Sequence, residues 1–102
     1  MINKYPQVSF VYDRRHTASM SRKAAVEVRI TYDRKQKFIS TGIMLYPNQW
    51  KKGNIINCPD AMQISQTLDR LLSDIRQVIL EMMEQGNIDI ASIPDRMEKK
   101  RQ

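Results

Sequence analysis

Glu27, Arg29 and Thr31 alternate with apolar residues in the segment VEVRITY. In an extended strand this spacing places the three polar side chains on one face. Their types suit the edges of DNA bases in the major groove. Arginine can bind guanine through two hydrogen bonds, glutamate can accept one from cytosine N4, and threonine can contact a base or the thymine methyl. With two outward-facing residues of the next predicted strand, the base-contacting set is Glu27, Arg29, Thr31, Phe38 and Ser40.

The same alternation has a simpler interpretation. Polar side chains on the open face of a sheet usually contact water and pair with neighbours across the strands. Glu27 and Arg29 carry opposite charges and fit that description as well. The spacing alone therefore leaves both interpretations open.

Positive charge is concentrated in the first half of this 102-residue chain. The whole sequence has a net charge of +6, but residues 1–53 hold eleven Lys or Arg residues against three acids, a net charge of +8. Residues 54–86 have a net charge of −3, and residues 87–102 a net charge of +1. This asymmetry favours a polyanion that approaches the strand-rich part. The predicted phosphate-contacting residues are Arg14, Arg15, Arg22, Lys23, Arg34, Lys35 and Lys37.

The sequence contains no recognisable catalytic or metal-binding pattern. His16 is the only histidine and Cys58 the only cysteine, so a two-histidine zinc motif and a cysteine pair are both excluded. We therefore predict no catalytic residue, no metal and no cofactor. A single cysteine fits a reducing cytosol. The sequence has no apolar run that approaches the ~20 residues of a membrane span, and we expect no contact with a membrane.

Three strands are predicted to carry the candidate residues, over about residues 8–13, 24–33 and 37–45. Gly42 is expected at a bulge or a close approach of two backbones, and Trp50 is expected to cap the edge of the core. The residues predicted to face inward in the second and third strands are Val26, Val28, Ile30, Tyr32, Ile39, Thr41 and Ile43.

A long helix is predicted over about residues 60–85, because apolar residues recur there at the helical spacing. Such a helix spans ~38 Å, whereas a strand of seven residues spans ~23 Å. The helix must therefore overhang the sheet, and its end at Ile79, Met82 and Met83 needs another partner. Two possibilities stay open: residues 88–93 fold back onto it, or another domain or subunit covers it.

The remaining segments set the predicted domain boundaries. Residues 1–7 show no periodicity and are predicted to form a flexible arm. The domain proper is predicted over residues 8–86, and residues 87–102 are predicted to be a linker.

Three stretches of the sequence carry a resemblance to a known family. They are VSFV at residues 8–11, VEVRITYDRKQKFISTGIMLYPNQWKKG at residues 26–53, and LDRL at residues 68–71. The order STGI, YP and W, followed by a turn and one long helix, resembles the N-terminal arm-type DNA-binding domain of tyrosine recombinases, the integrases of conjugative transposons and prophages. The resemblance covers about residues 8–95.

The resemblance implies an α+β fold, in which a three-stranded antiparallel β-sheet packs against one long C-terminal α-helix. It also implies that the open face of the sheet enters the major groove at arm-type sites, while strand exchange belongs to a separate catalytic domain. This chain is then a non-catalytic fragment, and none of its tyrosines, Tyr5, Tyr12, Tyr32 and Tyr46, is the nucleophile. The implied partners are double-stranded DNA, the core-binding and catalytic domains of the same polypeptide, and other integrase protomers on DNA. The implied location is the cytoplasm, in association with the nucleoid.

Two rival functions belong to different classes. A sheet packed on a helix can bind structured RNA by its shape and its 2′-hydroxyls. The chain can also serve as a protein-interaction module, in which the helix end near Ile79 and Met82 docks a partner helix.

Overall fold

The computed structural model describes residues 5–100 as an α+β fold with two layers. The longer elements are β1 (Gln7–Tyr12), β2 (Ala24–Tyr32), β3 (Lys35–Leu45), α1 (Ala61–Gln85) and α2 (Ile93–Lys100). Two short strands, β4 (Trp50–Lys51) and β5 (Asn54–Ile55), form a separate ribbon between β3 and α1. The main sheet is antiparallel in the order β1-β2-β3, so β2 is its central strand. The predicted three-stranded sheet and long helix are confirmed, and the ribbon and α2 are additions to them.

The central strand alternates between two environments, as its sequence predicts. Val26, Val28 and Ile30 are 0% exposed, because they face α1 and are covered by it. We call the side of the sheet that faces α1 the inner face, and the opposite side the outer face. Residues of the other parity in β2, including Glu27 and Arg29, therefore belong to the outer face.

The turn between β2 and β3 is shorter than predicted. Asp33 and Arg34 both have positive φ angles, of 50° and 64°, which is the signature of a two-residue type I′ hairpin turn. The strand β3 therefore begins at Lys35 rather than at Lys37. Lys35 pairs with Tyr32, and Lys37 pairs with Ile30.

A bulge interrupts β3 where the sequence has Gly42. Three residues, Thr41 to Ile43, lie opposite the single residue Val26, and Gly42 has a φ angle of 79° that suits glycine. The Thr41 hydroxyl fills the gap in the ladder by donating to the carbonyl of Val26 (2.7 Å) and accepting from the Ile43 amide (3.0 Å). Because the bulge adds an even number of residues, Met44 returns to the same face as Ser40.

The helix α1 supplies one side of the core. It ends at Gly86, whose left-handed backbone lets its amide bond to the carbonyl of Met83 and that of Asn87 to the carbonyl of Met82 (both 3.1 Å). Its buried residues are Leu68, Leu71, Ile75, Val78, Ile79 and Met82. Together with the inner face of β2 they form most of the apolar core.

The segment after α1 differs from the predicted linker over residues 87–102. Ile90, Ile93 and Met97 are 6%, 0% and 6% exposed, and they pack against the end of α1 in the main core cluster. Of the two possibilities for the overhanging helix end, the chain therefore uses the first, in which the following segment folds back. At the other terminus Gln7 already belongs to β1, and residues 1–4 of the predicted arm lie outside the described residues.

Trp50 closes the edge of the core, as its sequence context predicts. Its ring meets that of Phe10 edge-on (6.5 Å between centroids) and stacks on that of Tyr12 (6.0 Å). The Tyr12 hydroxyl donates a 2.7 Å hydrogen bond to the carbonyl of Leu45. Burial, with a smaller effect of the Asp13 carboxylate, raises the pKa of Tyr12 above its ordinary value.

Replacing Ile75 by alanine is expected to lower the free energy of unfolding by ~2–5 kcal/mol, because a fully buried side chain is lost from the core. Its side chain is 0% exposed and packs in the cluster that joins α1 to the sheet. Urea denaturation followed by circular dichroism measures the change. Gln77→Ala, at an exposed position of the same helix, is the control and should alter stability by less than ~0.5 kcal/mol. Equal losses in the two variants would contradict this description of the core.

Candidate nucleic-acid interface

The outer face of the sheet presents three rows of side chains that run across the strands. The strand register defines the rows as Gln7–Thr31–Gln36, Ser9–Arg29–Phe38 and Val11–Glu27–Ser40. All five residues predicted to contact bases therefore fall on one surface. Both core clusters lie on the inner face, so α1 does not occupy this surface.

The middle row, Ser9–Arg29–Phe38, places an arginine at the centre of this surface. Arg29 is exposed at the centre of the sheet, between Ser9 of β1 and Phe38 of β3. The small side chain of Ser9 leaves one flank of the arginine open, whereas the ring of Phe38 lines the other. Sequence reasoning missed the contribution of β1, although the alternation of Val8, Ser9 and Phe10 was a usable signal for it.

The loop between β1 and β2, residues 13–23, which we call the basic loop, is held by the side chain of Asp13. Its carboxylate accepts hydrogen bonds from the amides of Thr17 (2.8 Å) and Ala18 (3.1 Å). Farther along, Ser19 and Arg22 exchange two backbone hydrogen bonds of 2.9 and 3.1 Å, which close a tight turn. These bonds give the polar segment a defined path, although its sequence shows no periodicity.

A cleft of about 370 Å³ lies between this loop and the outer face. The loop lines it with four cations, Arg14, Arg15, Arg22 and Lys23. Glu27, Ser40 and Met44 line it from the sheet. Four of the seven predicted phosphate-contacting residues are thus brought to one end of the outer face. Met44 was not among the predicted contact residues, although its spacing of four residues from Ser40 places both on the same face.

The other three predicted phosphate-contacting residues lie elsewhere. Arg34 is at the tip of the turn between β2 and β3, at the opposite end of the sheet from the loop. Lys35 and Lys37 pair with Tyr32 and Ile30, so they share the inner-face parity rather than the outer one. This placement follows from the strand alternation, in which Lys35 and Lys37 share the parity of the inward-facing Ile39.

Arg14 lies directly over two of the predicted base-contacting residues. Its Nε donates to Oε1 of Glu27 (3.1 Å), and its Nη2 donates to Oε2 of the same carboxylate (3.2 Å). The guanidinium carbon is also 4.0 Å from the centroid of the Phe38 ring. The three side chains come from three different elements, and sequence spacing gave no sign of their contact.

The residues considered for other chemistry are scattered. His16 is exposed in the loop, and Cys58 is a half-buried free cysteine before α1. Within residues 5–100, no three His, Cys, Asp or Glu side chains are grouped so that they can hold a metal ion. None of the helices in that range is both long enough and apolar enough to span a membrane.

Comparison with known proteins identifies the family to which this fold belongs. The family model described as Arm DNA-binding domain matches residues 11–93, which include most of the sheet, the basic loop and all of α1. No curated protein and no solved structure matches the chain. The match agrees with the resemblance to the arm-type domain of tyrosine recombinases that the sequence carries. Since it spans most of the 102 residues, this chain belongs to the Arm DNA-binding domain family.

Proposed function

We propose that the chain binds specific sites in double-stranded DNA by inserting the outer face of its sheet into the major groove. The observation that carries the proposal is the open outer face with exposed Arg29 at its centre. The two outer strands of a three-stranded sheet lie ~10 Å apart, which suits a major groove ~12 Å wide. The family supports DNA binding, and the mode of insertion is our inference.

Base contacts are assigned to the outer face and phosphate contacts to its two ends. Arg29 binds guanine through two hydrogen bonds, while Thr31 and Ser40 contact neighbouring bases. The basic loop supplies phosphate contacts at one end of the sheet, and Arg34 supplies one at the other. A nine-residue strand such as β2 is ~30 Å long, so these cations flank the base-contacting rows.

We further propose that the chain acts as the arm-binding part of a tyrosine recombinase. In this arrangement it recruits and orients the enzyme at arm-type sites, and strand exchange takes place in core-binding and catalytic domains of the same polypeptide. Other integrase protomers bind the same DNA, and the assembly works in the cytoplasm at the nucleoid. The chain itself performs no catalysis.

The two rival functions have less support from the geometry. The major groove of an RNA duplex is deep and narrow, so a sheet face that reads base edges in a major groove suits DNA. The RNA hypothesis relies instead on shape contacts in the minor groove, which competition between matched RNA and DNA duplexes tests. The protein-interaction hypothesis needed Ile79 and Met82 to be uncovered, but they are 6% and 0% exposed and belong to the main core cluster.

Arg29→Ala is expected to relax base preference by ~1–3 kcal/mol at one position of the site, because one bidentate contact is lost. Selection from a pool of DNA duplexes with a randomised central segment, repeated for the wild type and the variant, measures the preference. Arg70→Ala removes the same charge from an exposed position on α1 and is the control. If wild-type protein enriches no DNA sequence, or prefers an RNA duplex in competition, the proposed function is wrong.

A further inference from the structure

We propose that Arg14 is a guanine-reading residue rather than a phosphate contact, and that Glu27 and Phe38 are positioning residues that hold it. This inference rests on the proposed function and assigns a specificity-determining group within the same interface. It also changes the role of Glu27, which the sequence alone assigned to cytosine.

The guanidinium of Arg14 is fixed in two directions. The carboxylate of Glu27 accepts two hydrogen bonds from it, one from Nε (3.1 Å) and one from Nη2 (3.2 Å). The ring of Phe38, 4.0 Å from the guanidinium carbon, supports it from a second side. An arginine side chain carries ~2 kcal/mol of rotamer entropy. Much of that entropy is lost before any DNA arrives, which lowers the cost of a later contact.

The donors that remain suit guanine. A guanidinium has five N–H groups, and the contact with Glu27 uses one on Nε and one on Nη2. The two on Nη1 and the second on Nη2 stay available, and the Arg14 side chain is 37% exposed. Guanine presents two adjacent acceptors, N7 and O6, in the major groove. The planar edge formed by Nη1 and Nη2 can therefore donate to N7 and O6 together.

The charge of the pair argues against a phosphate role. Glu27 neutralises Arg14 at close range, so the pair as a unit gains little by approaching a phosphate. An exposed ion pair also contributes only ~0–1 kcal/mol to stability, so stability alone gives little reason to build it. Glu27 itself has both carboxylate oxygens engaged by Arg14, which leaves it poorly placed to accept from a cytosine.

Two substitutions separate the reading role from a phosphate role. Arg14→Lys keeps the charge but loses the planar fork, so preference for guanine at one position should fall by about five- to a hundredfold. The dependence of affinity on salt should stay unchanged. Glu27→Gln keeps an acceptor but frees the charge of Arg14. It should weaken the same preference and steepen the log–log salt slope by up to about 0.9.

Arg15→Ala is the matched control, because Arg15 lines the same cleft without contacting Glu27 in the described structure. It should flatten the salt slope by about 0.9 and leave base preference intact. A measurement without DNA tests whether Glu27 holds Arg14 in place. The Nε–H resonance of Arg14 should exchange slowly with water in the wild type and faster in Glu27→Gln, with unchanged thermal melting.

The outcomes distinguish this inference from the proposed function. If wild-type protein selects no DNA sequence, the proposed function fails. If it selects a sequence that Arg14→Lys and Glu27→Gln both retain, only the reading role of Arg14 is overturned. The double variant Arg14→Ala with Glu27→Gln removes the ion pair without changing the net charge, so it should leave the salt slope unchanged. If it flattened the slope as much as Arg15→Ala does, Arg14 would be a phosphate contact.

Discussion

A chain that ends after Asn87 is expected to lose its cooperative unfolding transition. The deletion removes Ile90, Ile93 and Met97 and uncovers the end of α1, including Met82. Burial of each large apolar side chain contributes ~1.5–3 kcal/mol, so the total approaches the ~5–15 kcal/mol by which a small domain is stable. Thermal melting, followed by the helical signal in circular dichroism, measures the outcome.

A chain that ends after Lys99 is the control, because it keeps all three apolar residues of the segment. It should melt like the full-length chain. The single substitution Ile93→Ala should lie between the two, with a loss of ~2–5 kcal/mol. If the chain ending at Asn87 melted at the same temperature as the full-length chain, residues 88–97 would be a linker after all.

Replacing Arg15, Arg22 and Lys23 together by alanine is expected to weaken DNA binding by about a hundredfold at ~0.15 M salt. These three cations line the cleft beside the outer face and, unlike Arg14, have no carboxylate bound to them in the described structure. Each phosphate contact contributes about 0.9 to the log–log salt slope, so the slope should flatten by about 2.7. Base preference should not change, since phosphates carry no sequence information.

A matched triple variant tests whether position or total charge matters. Arg70, Arg76 and Lys99 are exposed on the helices, in the layer opposite the outer face. Replacing them by alanine removes the same charge, but should lower affinity only slightly through the long-range field. Equal losses from the two triple variants would mean that net charge, not the loop, attracts the DNA. Fluorescence anisotropy across a salt series gives both quantities.

The sequence predicts the outer face well because one strand decides it. Val26, Val28 and Ile30 are all apolar and alternate without interruption, so only one facing of β2 buries them. The helix α1 is equally well determined by its apolar spacing, and its observed end at Gln85 agrees with the prediction.

The start of β3 could not be predicted from the sequence, because five polar residues, Asp33 to Lys37, separate the apolar parts of β2 and β3. Such a stretch fits a four-residue turn or a two-residue turn equally well, and both alternatives keep Lys37 on the same face as Ile39. Neither Asp33 nor Arg34 is a glycine, so the usual mark of a type I′ turn is missing. Turn geometry therefore decided where β3 begins, whereas the alternation with Ile39 decides the face to which Lys35 and Lys37 belong.

The packing of residues 90–97 against α1 could not be predicted from their composition. Ile93 and Met97 are four residues apart, a helical spacing, but charged residues surround them and Pro94 follows directly. Proline is tolerated in the first turn of a helix, and α2 begins at Ile93. The contact of Arg14 with Glu27 was equally invisible, since it depends on how Asp13 folds the loop back.

The bulge in β3 has a consequence for how copies of this domain behave in solution. β1 and β3 are the edges of the main sheet, and a regular edge strand is a template on which other molecules can add strands and aggregate. At Thr41 to Ile43 the ladder is interrupted, and the Thr41 hydroxyl turns inward to the Val26 carbonyl. The irregular edge therefore disfavours sheet-to-sheet addition between monomers, while the outer face keeps its regular rows.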